Sequence, residues 1–173
     1  MLSALTIRKI AGFSLVELMV SVVVLGILAS IAVPSFQAWL RNTQIRNAAE
    51  SITNGLQRAR AEAVSRNTNT SFVIGADSSW TISVVTPALT IDQRLASEGS
   101  KNVTRTVLPT GATTVTFSNV GLVVTNADTS SSITQVDLVA AGGIQNLRVT
   151  IGAGGNARMC DPNITSGSSP RAC

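Results

Sequence analysis

Apolar and polar positions divide the chain into stretches of different period. From Phe13 to Val33 the residues are apolar almost throughout, and no charge follows Glu17 within that run. These 21 residues, at about 1.5 Å of helical rise each, would span ~31 Å, close to the ~30 Å hydrocarbon thickness of a bilayer. A second period begins after Pro34. Ile45, Ala48, Ala49, Ile52, Leu56, Ala59 and Ala63 recur at steps of three and four, while Arg41, Arg58, Glu62 and Arg66 fall off that stripe, the pattern of an amphipathic helix. Glu62 and Arg66 are ordered for an i,i+4 pair, and Asn67 suits a helix terminator. Good helix formers flank Pro34, so the lost hydrogen bond is expected to kink the helix rather than end it. The spacing thus predicts one helix from Phe13 to about Arg66, bent near Pro34.

Beyond Arg66 the composition turns to Thr, Ser, Val and Gly with β-branched alternation, which signals strands. Expected strands are Ser71–Ile74, Trp80–Val85, Val103–Leu108, Thr113–Ser118, Leu122–Thr125, Ile133–Val139, Leu147–Ile151 and Ala157–Cys160. Turn signals at Gly75–Ser78, Asn119–Gly121, Gly142–Gly143 and Gly152–Gly155 separate most of them, and connections this short favour antiparallel neighbours. Thr86–Asn102 and Asn126–Ser132 read as loops. The helical stripe needs a sheet face to cover, so the fold class is α+β: a long N-terminal helix packed on antiparallel β-sheets. Phe72 and Trp80, on adjacent expected strands, read as core aromatics.

The residues before the apolar run change its meaning. A secretory signal places its cleavage site after the apolar stretch, whereas here the basic Arg8-Lys9 and the Gly12-Phe13 bond precede it. The apolar segment should survive processing. Glu17 is its anomaly, since an ionised carboxylate at bilayer depth costs on the order of 3 kcal/mol. Cleavage between Gly12 and Phe13 would create an α-amine one helical turn from Glu17, on the same chain or a neighbour, and opposite charges this close attract strongly in low dielectric.

Gly12, Phe13 and Glu17, together with Gly26 and Pro34, give this segment its resemblance to the type IV pilin N-terminus. In that family a prepilin peptidase cuts after the Gly and methylates the new amine, the Glu serves assembly, and a Gly and a Pro weaken the helix. The resemblance implies a leader at 1–12, a transmembrane and assembly helix at 13–33, and an extracytoplasmic domain at 34–173. It also implies a single-pass inner-membrane protein with a periplasmic domain, later carried into a pilus filament or its tip, with other pilins or pseudopilins as partners. No cofactor is expected.

The C-terminal half resembles minor pilins and pseudopilins of the FimT/GspH type. Phe117-x-x-x-Gly121, the run Leu147–Ile151, and Gly155-Asn156-Ala157-Arg158 carry that likeness, with Asn156 where the family pattern has a first arginine. Some FimT-type members resemble DNA receptors for natural transformation. The likeness makes Arg158, Arg148 and Arg171, with Lys101 and Arg105 alongside, candidates for sequence-independent phosphate contacts with duplex DNA; solvated strand arginines are the plainer alternative. The function implied is a minor type IV pilus subunit in assembly or initiation, with a GspH-like pseudopilin of type II secretion as the alternative.

Charge and composition narrow this further. Of 13 Lys and Arg, removal of Arg8 and Lys9 leaves 11 against 9 Asp and Glu, a balance that does not by itself advertise nucleic-acid binding. Histidine is absent, which removes the commonest general base and metal ligand and leaves a hydrolase reading little support. Asp77, Asp92, Asp128 and Asp137 lack a calcium-loop pattern, and Asn163-Ile164-Thr165 reads as a chance sequon. For Cys160 and Cys173 the default is a disulfide, two free thiols being the alternative. The pair leans toward the pilus, since pseudopilins of this type resemble pilins without such a loop.

Overall fold

The structure, a computed structural model, describes residues 13–167 and 169–173. The expected leader at 1–12, including Gly12, lies outside the described residues. Contacts divide the chain into two compact units, one ending at Gln37 and the other running from Ala38 to Cys173.

The single helix α1 runs from Leu15 to Ser65 and passes through Pro34 unbroken. Ser14 caps its start: the Glu17 amide donates to Ser14 Oγ at 3.2 Å, and Glu17 lies in the first turn, where the helix dipole favours an acid. At the other end Thr68 N donates to Ala63 O at 3.1 Å and Asn67 N to Val64 O at 3.2 Å, with Asn67 at φ 51°. This left-handed cap satisfies carbonyls the helix leaves open. In the first unit the apolar side chains are exposed, and an 18-residue window of mean hydropathy 2.5 makes α1 long and apolar enough to cross a membrane.

In the second unit all seven stripe residues from Ile45 to Ala63 are buried. They join one core with Phe72, Ile82, Val115, Phe117, Val136, Leu138 and Val149, and each large side chain withdrawn from water stabilises by roughly 1.5–3 kcal/mol. Gly55 brings the helix against the rings of Phe72 and Trp80. A Cβ there would lie 2.8 Å from Phe72 Cε2. Those two rings are core residues with centroids 5.7 Å apart, and Trp80 Nε1 donates to buried Ser51 Oγ at 2.8 Å.

The strands are β1 (Thr70–Ile74), β2 (Trp80–Val84), β3 (Leu89–Arg94), β4 (Val103–Leu108), β5 (Thr114–Phe117), β6 (Val123–Val124), β7 (Gln135–Ala140), β8 (Leu147–Ile151) and β9 (Ala157–Cys160). Among the described residues they form two sheets, ordered β3-β2-β1-β5-β6 and β4-β7-β8-β9, antiparallel throughout. One expectation is corrected. The supposed loop Thr86–Asn102 contains β3, which pairs with β2 through Thr81↔Gln93 and Trp80↔Arg94. As an edge strand with no fully buried residue, β3 lacks the alternation that marks a half-buried strand. Asn126–Ser132 holds no strand, yet buried Asn126 organises it: Thr116 Oγ1 donates to its Oδ1 at 2.9 Å, and its Nδ2 donates to Thr114 O and Ser130 O.

Candidate functional site

Phe13 and Glu17 stand at the N-terminal end of α1, where Phe13 is 84% exposed. Gly26 lies mid-segment with nothing within 4 Å of where a Cβ would project. These residues offer an apolar helical surface with one carboxylate near its start. Unlike a pocket, such a surface becomes useful through packing against other apolar helices or lipid.

The second candidate is the corner formed by β8, β9 and the C-terminal segment. Cys160 and Cys173 are disulfide-bonded with Cα atoms 5.1 Å apart. Asp161 N donates to Arg171 O at 2.7 Å, so the segment returns alongside the end of β9. Arg158 clamps it from the sheet, donating through Nη2 to Pro170 O at 3.0 Å and Ala172 O at 2.8 Å.

Strand register decides where the candidate basic side chains go. Arg148 lies opposite both Asp137 and Cys160, and Arg158 opposite Thr150, so both occupy the face away from the core, diagonal to each other. Arg171 lines a cleft of about 40 Å³ with Arg46, Leu147, Met159, Cys160 and Asp161, a lining that includes neither Arg148 nor Arg158. Two of these guanidiniums have internal work. Arg148 Nε donates to Asp137 Oδ1 at 2.6 Å and its Nη2 to Oδ2 at 3.1 Å, a bidentate pair that raises the Arg148 pKa. Arg158 is committed to the carbonyls of the C-terminal segment.

Lys101 and Arg105 do not join them, so the five basic residues do not form one patch. Lys101 is exposed before β4. Arg105 lies between buried Val103 and Val107 on the inward side of β4, donating from Nε to Gly75 O, and burial pushes its pKa down. It ties β4 to the β1–β2 turn.

Arg60 is the residue that sequence reasoning missed. Its Nε donates to Gly121 O at 3.0 Å, and Gly155, at φ 75°, sits against that same carbonyl. The Phe117-x-x-x-Gly121 turn and the β8–β9 turn thus meet on one helical arginine. Gly155 is buried, so its turn is docked onto the body of the domain. Arg60 falls off the apolar stripe, and nothing local marks it as an anchor. Ser14 gave a readable signal, because Ser14-x-x-Glu17 is a capping-box spacing.

The family model for type II transport protein GspH matches residues 48–160, and the prokaryotic N-terminal methylation motif matches residues 7–33. A fimbrial protein of Pseudomonas aeruginosa is 40% identical over 53 residues, covering 31% of this chain and 34% of that protein. The chain therefore matches about a third of that relative's length. The type IV minor pilin FimU of Pseudomonas aeruginosa aligns with a TM-score of 0.53 at 18% identity, over 75% of this chain and 94% of that one. The minor pseudopilin EpsH from the type 2 secretion system of Vibrio cholerae gives 0.53 at 15%, over 70% and 99%. At these identities the likeness concerns the fold.

Proposed function

Because this chain belongs to the GspH family of type II transport proteins, a family of structural minor pilins and pseudopilins, we propose that it is a FimT-like minor subunit in type IV pilus assembly or initiation. The observation that carries this reading is the exposed apolar length of α1, headed by Phe13 and Glu17 and matched by the methylation motif. A prepilin peptidase would cut between Gly12 and Phe13 and methylate the new amine. While the chain waits in the inner membrane, with its domain in the periplasm, Glu17 is costly. Docking beside another pilin's N-terminal amine would neutralise it, so assembly relieves the ~3 kcal/mol burden of a lone carboxylate in lipid. Gly26 and Pro34 would ease local adjustment of the packed helices, and the finished subunit would sit in the filament or at its tip.

Mass spectrometry of chain purified from its native envelope should find methylated Phe13 as the first residue; unprocessed chain despite an active peptidase would overturn the reading. Glu17→Val should still insert but be depleted from sheared surface filaments. Normal incorporation would remove Glu17 from docking.

The same segment would serve a GspH-like pseudopilin in a type II secretion filament. The disulfide-closed C-terminal segment, beyond the 48–160 family match, supports the pilus. Loss of exported enzymes with normal surface pili in a deletion strain would favour secretion instead. A contact with duplex DNA is the finer reading, supported by Arg148 and Arg158 lying diagonally on one face of β8 and β9, with Arg171 on the adjoining C-terminal segment. Salt-titrated gel shifts test it: identical binding by the wild type and the triple alanine variant would exclude that corner.

A further inference from the structure

The end of the domain nearest the start of its helix carries a turn that neither the core nor the proposed assembly function uses. The β7–β8 connection exposes Ile144, 80% accessible and preceded by Gly142 and Gly143. The tight turn closes before it, where Gly143 N donates to Ala140 O at 2.8 Å, and an apolar side chain left exposed just beyond stabilises nothing by itself. Yet the turn is held firmly: Ile144 N and Gln145 N both donate to Asn42 Oδ1, at 3.1 and 3.2 Å, and Arg41 lies against Gly142. Asn102 Nδ2 donates to Gln44 Oε1 at 3.3 Å, placing neighbouring Lys101 at the same level of the helix. Ile144, Arg41 and Lys101 thus share one end of the domain. Trp39, 59% exposed, and Leu40, 43% exposed, immediately precede Arg41.

The sequence says what this end meets. Between Glu17 and Arg41 no residue is charged, so Arg41 is the first cation beyond the uncharged stretch, preceded by the Trp-Leu pair that suits a membrane interface. Arg41 and Lys101 form no ion pair among the described residues. The acids nearest them along the sequence have partners of their own: Glu50 pairs with Arg46 at 3.4 Å, and Glu98 accepts the Leu95 amide at 3.1 Å.

We propose that this end docks onto the membrane that holds the helix, Ile144 entering the interface between headgroups and acyl chains while Arg41 and Lys101 bind anionic lipid headgroups. The occupant is the lipid surface, because the site combines an exposed apolar side chain with cations in no ion pair, one of them the first charge after the uncharged stretch of sequence. A second protein copy would have to reach the same level against the bilayer. Docking would hold the domain down before assembly and release it when the helix leaves the lipid. This inference rests on the membrane anchoring proposed above.

The test uses full-length protein in liposomes of pure phosphatidylcholine, or with one third phosphatidylglycerol. Ile144→Cys carries an environment-sensitive fluorophore, and Val120→Cys, in the β5–β6 turn, is the control. Blue-shifted emission at position 144, quenched by lipid-borne nitroxide and stronger with phosphatidylglycerol, is expected; position 120 should stay water-like. Each basic residue near an anionic surface is worth about fivefold in binding, so Arg41→Gln with Lys101→Gln should lower the docked-to-free ratio roughly 25-fold. Protein that fails to float with the liposomes overturns the anchoring reading, and this one with it. Protein that floats while position 144 stays water-like, unquenched and indifferent to lipid charge overturns the docking alone.

Discussion

Replacing Gly155 by alanine probes the junction of the β5–β6 turn, the β8–β9 turn and Arg60, because two separable penalties meet there. Gly155 has φ 75°, and placing a residue with a Cβ in that left-handed region costs about 1–2 kcal/mol. Its Cβ would also press on the Gly121 carbonyl, with Arg60 Nε 3.1 Å away. Neither obstacle is cheap to move, since one is backbone and the other is bonded to it. Losing the charged hydrogen bond from Arg60 to Gly121 costs about 1.5–3 kcal/mol more, so the substitution should destabilise by ~3–5 kcal/mol, or about 9–15 °C in Tm at ~3 °C per kcal/mol for a chain of this size. Gly111→Ala is the control. Gly111 has φ 84° but open space around it, so it should cost only the backbone term, about 1–2 kcal/mol. Thermal unfolding of the full chain in detergent, followed by the fluorescence of buried Trp80, measures all three proteins. If Gly155→Ala melts no lower than Gly111→Ala, the close approach of Gly155 to Gly121 does not exist in solution.

Three further outcomes are expected. Cys160→Ser with Cys173→Ser opens a loop of about 14 residues and should lower stability by ~3 kcal/mol on the chain-entropy relation, read by denaturant titration; a loss under ~1 kcal/mol would mean that Arg158 and the Asp161 backbone bond hold the segment unaided. Ser51→Ala should cost about 1–3 kcal/mol by leaving the Trp80 indole N–H buried without its acceptor, and an unchanged melting curve and emission maximum would contradict the 2.8 Å bond. The Asp77 carboxyl is held below its usual 3.8, first by hydrogen bonds from Ser79 and with help from Arg105. A lowered folded-state pKa gives stability that is present above 3.8 and lost as pH falls through the lowered value. Asp77→Asn should therefore be slightly less stable than wild type at neutral pH, with the two curves converging under strong acid; a gap that persists there would assign the effect to something other than ionisation.

The helix was legible because its period is long and its stripe unmixed. Ile45, Ala48, Ala49, Ile52, Leu56, Ala59 and Ala63 are all buried, and the turn to β-branched residues after Arg66 marked the start of the sheets. β3 was not legible, because Leu89–Arg94 lies at a sheet edge and buries no alternating face. The inward Arg105 could have been read. It alternates with Thr104 and Thr106 between Val103 and Val107, and a period of two puts it on the side of the valines. The pairing of Arg148 with Asp137 could not, since it depends on the register of β7 against β8. Nor could the union of Gly121, Gly155 and Arg60, whose members lie far apart along the chain.

The order in which the chain visits its two sheets constrains how the domain can be completed. β1 to β3 enter one sheet, β4 enters the other, β5 and β6 return to the first, and β7 to β9 finish the second. β4 has a single strand partner, β7, with Leu108 meeting Gln135. A chain that folds from its N-terminal side can make the β1–β2–β3 meander early. It must then keep β4, with Val103 and Val107, without its strand partner until Gln135–Ala140 is available. Closing so long a loop before its contacts reward it is slow. The second sheet therefore cannot form before the first has all its strands, and a chain interrupted between Leu108 and Gln135 would present β4 as an unpaired strand with its inward valines open to whatever meets it.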